Sequence, residues 1–401
     1  MSTNNNTQLS KYHHLTSQRV SRISPSGIRK FFDLLASIEG VISLGVGEPD
    51  FATPWHIRET AIYSLEKGNT MYTSNLGMPE LRQELSHHLK DSYGLAYDPA
   101  SELLITVGVS EALDLATRAL LDPGDEVIMP DPCYVAYDAC VALAGGSPIR
   151  VSTNQESNFE INAADIEARI TNKTKAILIG YPANPTGAVI SREKLSQIAD
   201  VAQRHHLLVI SDEIYAKLVY GVEHTCIAAL DGMKENTILL GGFSKAYAMT
   251  GWRIGYAAAN KEIIAAMTKI HQYTMMCAPT MAQVAAIEAL REGETSVLEM
   301  VEDYNRRRQV IVKGLNDIGL TCFEPRGAFY AFPSIRSTGM TSEEFAERLL
   351  VEEKIAVVPG SAFGQCGEGH VRCCYATSLA EIEEALSRMK RFVDKYRGGN
   401  P

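Results

Sequence analysis

Residues 176–215 read AILIGYPANPTGAVISREKLSQIADVAQRHHLLVISDEIY. Two short apolar runs, Ala176–Gly180 and Leu207–Ser211, bracket Arg192–His205, where the apolar residues recur at helical spacing. Short runs rich in Ile, Leu and Val suit strands buried on both faces. Strand, helix and strand in succession predict a parallel crossover. Further candidate strands flank this unit: Leu103–Val107, Glu126–Met129, Thr237–Leu240 and Ile254–Ala258. Glu111–Leu121 supplies another helical pattern. The expected fold class is α/β, with a mostly parallel sheet flanked by helices.

Beyond about Gly293 the pattern changes. A long charged helical stretch, Val297–Leu315, precedes short strands around Gly327–Phe332, Ala356–Val358 and Val371–Tyr375. Helical patterns Ser342–Glu352 and Leu379–Tyr396 complete what reads as a smaller α/β C-terminal domain. The length of 401 residues agrees with more than one domain, at roughly 150 residues each.

Composition excludes several classes. Hydrophobic residues make up 45% and charged residues 21%, as in ordinary globular chains. A net charge of −10 argues against general nucleic-acid binding. No run approaches the roughly 18 apolar residues of a membrane span. Met1–Ser10 is rich in Asn, Thr and Ser and has no apolar centre, so it reads as neither signal nor anchor. The eight cysteines contain no C-x-x-C pair and are too dilute for a disulfide framework. Reduced thiols in the cytoplasm are expected.

In an open α/β sheet, ligands bind beyond the carboxyl ends of the strands. Gly108-Val109-Ser110 follow the first candidate strand, and Tyr134 lies shortly after the second. Asn184-Pro185-Thr186-Gly187 follow the third, Asp212 and Tyr215 the fourth, and Ser244-Lys245 the fifth. One rim is thus expected to collect amides, an aromatic ring, a carboxamide, a carboxylate, a phenol and a lysine. Each has a bland reading too. A lysine chosen blind is a surface lysine in about nine cases of ten. Asp212 alone reads as a cap or strand-end carboxylate, N-P-T-G as a turn, and Ser110 as a helix cap. The amides before Glu111 equally suit a dianionic phosphate. Arg372, in an apolar strand, needs an anionic partner, and a structural ion pair would satisfy it.

The set as a whole is more specific than its members. Leu44–Phe51 (LGVGEPDF), Tyr72–Gly77, Asn184–Gly187 (NPTG), Ser211–Tyr215 (SDEIY), Ser244–Gly255 (SKAYAMTGWRIG), Gly327–Tyr330 (GAFY), Pro359–Phe363 (PGSAF) and Val371–Thr377 (VRCCYAT) run in order over residues 44–377. The chain resembles the class I/II aminotransferases of fold type I, which depend on pyridoxal 5′-phosphate (PLP), and among them the aspartate and aromatic enzymes. The resemblance implies that Lys245 forms a Schiff base with PLP and later moves a proton. Asp212 would pair with the pyridine nitrogen, while Tyr215 and Asn184 would donate to the 3′-oxygen. Tyr134 would stack on the ring. Gly108, Val109, Ser110, Ser244 and Arg253 would hold the phosphate. Gly47, Asn184 and Arg372 would receive the substrate α-carboxylate. A cis bond before Pro185 is implied, and no metal.

By the same resemblance Tyr72 reaches the phosphate of a neighbouring subunit, so a homodimer with shared sites is expected. The implied division is a flexible tail over 1–18, an N-terminal segment over 19–50 that joins the small domain and covers the active site, a large PLP-binding domain over 51–290 and a small domain over 291–401. The implied reaction is ping-pong transfer from an L-amino acid, of aspartate or aromatic type, to a 2-oxo acid such as 2-oxoglutarate. A PLP-dependent carbon–sulfur β-lyase, or a non-catalytic PLP-binding regulatory protein, would share the same lysine.

Some features depart from the pattern or stand outside it. Gly242 occupies a place where some relatives carry a phosphate-binding serine. No second arginine for a distal carboxylate is assigned. Phe31 and Phe32 suit core packing better than a substrate cover. Ser191-Arg192-Glu193-Lys194 reads as a helix cap. The adjacent pairs His13-His14, His87-His88 and His205-His206 make poor metal sites. Arg306-Arg307-Arg308 reads as a solvated helix face, and Cys373-Cys374 as a buried strand pair.

Overall fold

The computed structural model describes residues 15–21, 23 and 39–397. Phe31, Phe32, His13-His14 and most of the expected tail lie outside the described residues. Strand β1 is Ile42–Ser43. Strands β2 (Leu103–Thr106), β3 (Glu126–Asp131), β4 (Ser147–Ser152), β5 (Thr174–Ile179), β6 (Leu208–Asp212), β7 (Thr237–Gly242) and β8 (Gly255–Ala258) form one seven-stranded sheet in the order β2-β8-β7-β6-β5-β3-β4. Neighbours from β7 to β4 run parallel, and β8 runs antiparallel to both β7 and β2. The expected α/β sheet is therefore present, with one reversed strand.

Alternation along the strands builds a core on each face. Leu103, Ile105 and Leu239 pack on one face with the helices Trp55–Glu66, Pro79–Tyr93 and Thr280–Glu292. Leu104, Leu178, Ile210, Ile238 and Leu240 pack on the other with Ala112, Leu115, Val141 and Ile264. Burying each large apolar side chain contributes about 1.5–3 kcal/mol, so this double-sided burial is what holds the rim in place.

Strand β4 has no counterpart among the expected strands. Its sequence, SPIRVS, is not an apolar run, and most of it is only partly buried. It sits at the sheet edge and pairs with β3 alone, where Pro148 and a charged side chain are tolerated.

A separate apolar cluster gathers Met300, Tyr304, Phe345, Leu349, Phe392 and their neighbours with Leu44 and Leu218. Strands β9 (Tyr330–Ala331), β11 (Val358–Pro359) and β12 (Val371–Cys374) form its antiparallel sheet, while β10 (Ile355–Ala356) pairs in parallel with β1. Residues before position 50 are thus woven into the C-terminal third. The helix Leu379–Tyr396 begins with a capping box, Ser378 Oγ accepting from Glu381 N at 3.2 Å. Ser191 caps Arg192–Arg204 through its hydroxyl alone, which accepts from Lys194 N at 3.3 Å.

The Arg306–Arg308 triplet corrects its expected reading. The helix is Glu294–Asp317, and only Arg306 is solvated. Arg307 is buried against Asp50 at 2.8 Å and Asp303 at 2.6 Å, and Arg308 against Glu324 at 2.9 Å. Consecutive residues turn by about 100° around a helix, so three of them cannot share one face.

Candidate active site

The carboxyl ends of β2, β3, β5, β6 and β7 open into a cavity of about 450 Å³, roofed by β9 and β12. Gly47, Asn184, Asp212, Tyr215, Lys245 and Arg372 all line it. So do Val109, Ser110, Tyr134, Ser244 and Arg253.

Lys245 follows the end of β7, and its Nζ donates to Gly47 O at 2.6 Å. Burial pushes its amine down to about 8, since desolvation penalises the ammonium. Gly47 is closely met: a Cβ there would lie 2.5 Å from the Tyr330 hydroxyl.

Asp212 closes β6. The Tyr137 hydroxyl donates to Oδ2 at 2.9 Å and Ile214 N to Oδ1 at 3.2 Å. Burial raises the carboxyl to about 6, and the two donors pull against that. Tyr137 was absent from the expected residues. It lies in the first turn of the helix Ala136–Ala144, three positions after Tyr134, which precedes that helix, and the two rings meet edge-on at 5.7 Å. Gly180, at the end of β5, leaves it room, because a Cβ there would lie 2.2 Å from the Tyr137 oxygen. Tyr330, in the GAFY segment but without an expected role, also lines the cavity. Its hydroxyl is 2.7 Å from that of Tyr215.

Arg372 is 3% exposed. Nη1 donates to Asn184 Oδ1 at 2.9 Å and Nη2 to Gly45 O at 2.7 Å, while Nε has no partner. Its plane lies over Tyr330 at 4.5 Å and Phe363 at 4.9 Å. No carboxylate pairs with it among the described residues, so the structural ion pair is not formed. A buried guanidinium with an orphaned N–H and no counter-ion is a site for an anion. Asn184 is followed by a cis bond to Pro185.

The opposite end of the cavity is built from backbone. The helix starts at Gly108, three residues earlier than its expected start at Glu111. Gly108 has φ +74°, and a Cβ there would lie 2.5 Å from Arg253 Nη2. Arg253 itself adopts φ +51° and donates through Nη1 to Thr250 O at 2.8 Å. First-turn amides of a helix lack intrahelical partners, and beside a guanidinium they suit a phosphate. Gly242 also has a steric reason: a Cβ would meet Val109 Cγ2 at 2.8 Å. Tyr72 is not brought to this cavity within one chain; it is 80% exposed.

Residues 39–389 match the family Aminotransferase class I and II, and the chain belongs to that family. Over 379 residues it is 59% identical to "Putative aminotransferase YugH" of Bacillus subtilis (strain 168), covering 94% of this chain and 98% of that one. It is 47% identical over 380 residues to an aspartate aminotransferase of Pyrococcus abyssi, covering 94% and 98%. The crystal structure of an aromatic aminotransferase from Pyrococcus horikoshii OT3 superposes with a TM-score of 0.88 at 45% identity, covering 92% and 99%. The fold is that of the type I aminotransferases, and the chain is an aminotransferase close to the aspartate and aromatic enzymes. No helix among the described residues is long and apolar enough to cross a membrane.

Proposed function

We propose that this aminotransferase uses PLP to move the amino group of an L-amino acid, of aspartate or aromatic type, to a 2-oxo acid such as 2-oxoglutarate by a ping-pong mechanism. One observation carries the reading: a largely buried lysine amine lowered to about 8 shares a cavity with a buried carboxylate, Asp212, and two guanidinium groups, Arg253 and Arg372, that have no carboxylate partner among the described residues.

The donor set fits the cofactor. Asp212 faces the cavity as the counter-charge a pyridinium requires. Arg253, Ser244 and the amides of Gly108, Val109 and Ser110 would hold a phosphate. Tyr134 offers a ring face, and Tyr215 and Asn184 offer donors beside it. Bound there, PLP supplies an aldehyde that condenses with amines and a ring that accepts the electron pair freed at a substrate α-carbon. The chain does the rest. Lys245, as free amine, is the nucleophile and then the base that takes and returns the α-proton. Arg372 grips the α-carboxylate through its unused N–H edge, aided by Asn184 and the Gly47 backbone. Tyr330 holds Tyr215 in place through their shared hydrogen bond.

The active unit is proposed to be a homodimer. Tyr72 stands exposed with Met71, Tyr273, Met275 and Met276. Their segments are tied together, Thr280 Oγ1 donating to Met71 O at 2.7 Å and Asn75 Nδ2 to Met276 O at 2.6 Å. An exposed apolar group of this kind suits a second copy of the chain. The division into 19–50, 51–290 and 291–401 belongs to the same reading. So does a reducing, cytoplasmic location, in keeping with eight unpaired cysteines.

The test is a panel of amino donors given to the full chain with PLP and 2-oxoglutarate, read as glutamate formed. Transfer from aspartate or from phenylalanine and tyrosine is expected. Pyruvate released from cystathionine with no 2-oxo acid present, and no transfer from any donor, would overturn the proposal.

A further inference from the structure

We infer that Glu111, held by His271, is a positioning residue that shapes the anion cradle at the start of the helix Gly108–Leu120. The inference rests on reading that cradle as the phosphate site.

The helix has no ordinary cap. Val107 occupies the cap position, and no side chain there bonds the first turn. Glu111 instead reaches back, and Val107 N donates to its Oε2 at 2.5 Å. The carboxylate thus reaches an amide four residues back, one residue further than a capping box spans, and no side chain of Val107 caps the first turn. The consequence is specific. The amide that precedes the turn is satisfied, while no capping hydroxyl occupies those of the first turn, which stay available to a ligand. A second side chain fixes the same turn, Thr106 Oγ1 donating to Gly108 O at 3.0 Å.

Glu111 is in turn fixed from behind. Its Oε1 lies 2.7 Å from His271 Nδ1, on the helix Lys261–Thr274. His271 is completely buried, and its Nε2 has no hydrogen-bond partner. One ring nitrogen is therefore committed to Glu111 and the other to nothing, so the ring's polar function in the fold is to hold that carboxylate. Neither residue lines the cavity. Without the Glu111 acceptor, Val107 N–H would be left unpaired near the surface of the turn. The turn would then relax, and the first-turn amides would lose their common aim beside Arg253.

The role predicts a loss confined to the phosphate. The experiment measures equilibrium affinity of the full chain, stripped of cofactor, for PLP and for pyridoxal, which lacks the phosphate. Glu111→Met keeps the volume and deletes the acceptor; it should weaken PLP about tenfold, the scale of one hydrogen bond to a charged group, and leave pyridoxal unchanged. Glu111→Gln keeps an acceptor for Val107 N–H, and His271→Asn keeps a donor near the Nδ1 position, so both should stay close to wild type. Glu111→Ala repeats the measurement should the Met variant not fold. Equal losses for both ligands, no loss for PLP, or a Gln variant as weak as the Met variant would overturn the inference. A wild-type chain that binds pyridoxal as tightly as PLP would instead overturn the phosphate reading itself.

Discussion

Lys245 Nζ donates to the Gly47 carbonyl across 2.6 Å, joining a strand end of the large sheet to the segment that pairs with the C-terminal third. The bond holds the amine in the cavity without giving it a carboxylate partner. Burial outweighs the opposing pull of Cys374 and Glu48, and the amine falls to about 8 from an ordinary 10.5.

The neutral fraction of a lowered amine rises as pH rises through its own value. Adduct formation with PLP should follow a midpoint near 8, not near that of a surface lysine. Absorbance of the adduct against pH, with borohydride trapping and peptide mapping, checks both the midpoint and the residue. Lys245→Ala should abolish turnover, and a trapped adduct on any other lysine would contradict the assignment.

Asp212 gives a second pH test. Its folded value, about 6, lies above the ordinary 3.8, so the stability it lends the cofactor-free fold is present in acid and lost as pH rises through about 6. The Tyr137 donor offsets that loss by favouring the ionised form. Tyr137→Phe should then cost about 1–2 kcal/mol at pH 8 and much less at pH 5. Urea unfolding of cofactor-free wild type and variant at both pH values measures the difference. A cost equal at the two pH values would show that Tyr137 contributes by packing alone.

Arg372 is clamped by Asn184 and Gly45 with its Nε edge unused. Lysine keeps the charge but not the fork. Arg372→Lys should lower kcat/KM for amino donors by about ten- to a hundredfold, the scale of losing one hydrogen bond to a charged group. Steady-state kinetics over several donors checks this, and unchanged values for all of them would remove Arg372 from carboxylate binding.

Gly242 stands 2.8 Å from Val109 Cγ2 once a Cβ is drawn on it. Gly242→Ser should destabilise the fold by about 1–3 kcal/mol through overpacking. Val109→Ala in the same chain should recover much of that loss. Thermal unfolding of the single and double variants measures the coupling, and strictly additive effects would show that the two sites do not meet.

The parallel sheet was legible because strands buried on both faces carry short apolar runs, as β5 does over 176–179, β6 over 208–210 and β7 over 238–240. Strand β4 was not, because an edge strand beside a single neighbour needs no such run. The rim residues were legible for a topological reason: a parallel sheet brings the carboxyl ends of its strands together, so Asp212 and Lys245 share a cavity whatever their neighbours. Tyr137 and Tyr330 were not, since their importance lies in partners far along the chain.

Residue types and their order along the chain thus determined the fold class, the cavity's placement and the lysine that lines it. The tertiary structure alone decided which groups are paired and which are left free. Gly180 must lack a side chain for Tyr137 to reach Asp212, and Arg372 must meet an amide and a carbonyl, not a carboxylate, to keep an edge for an anion. Such pairings depend on distances across the fold, and electrostatic and hydrogen-bonding energies change steeply over a few tenths of an ångström, a scale that no spacing along a chain encodes.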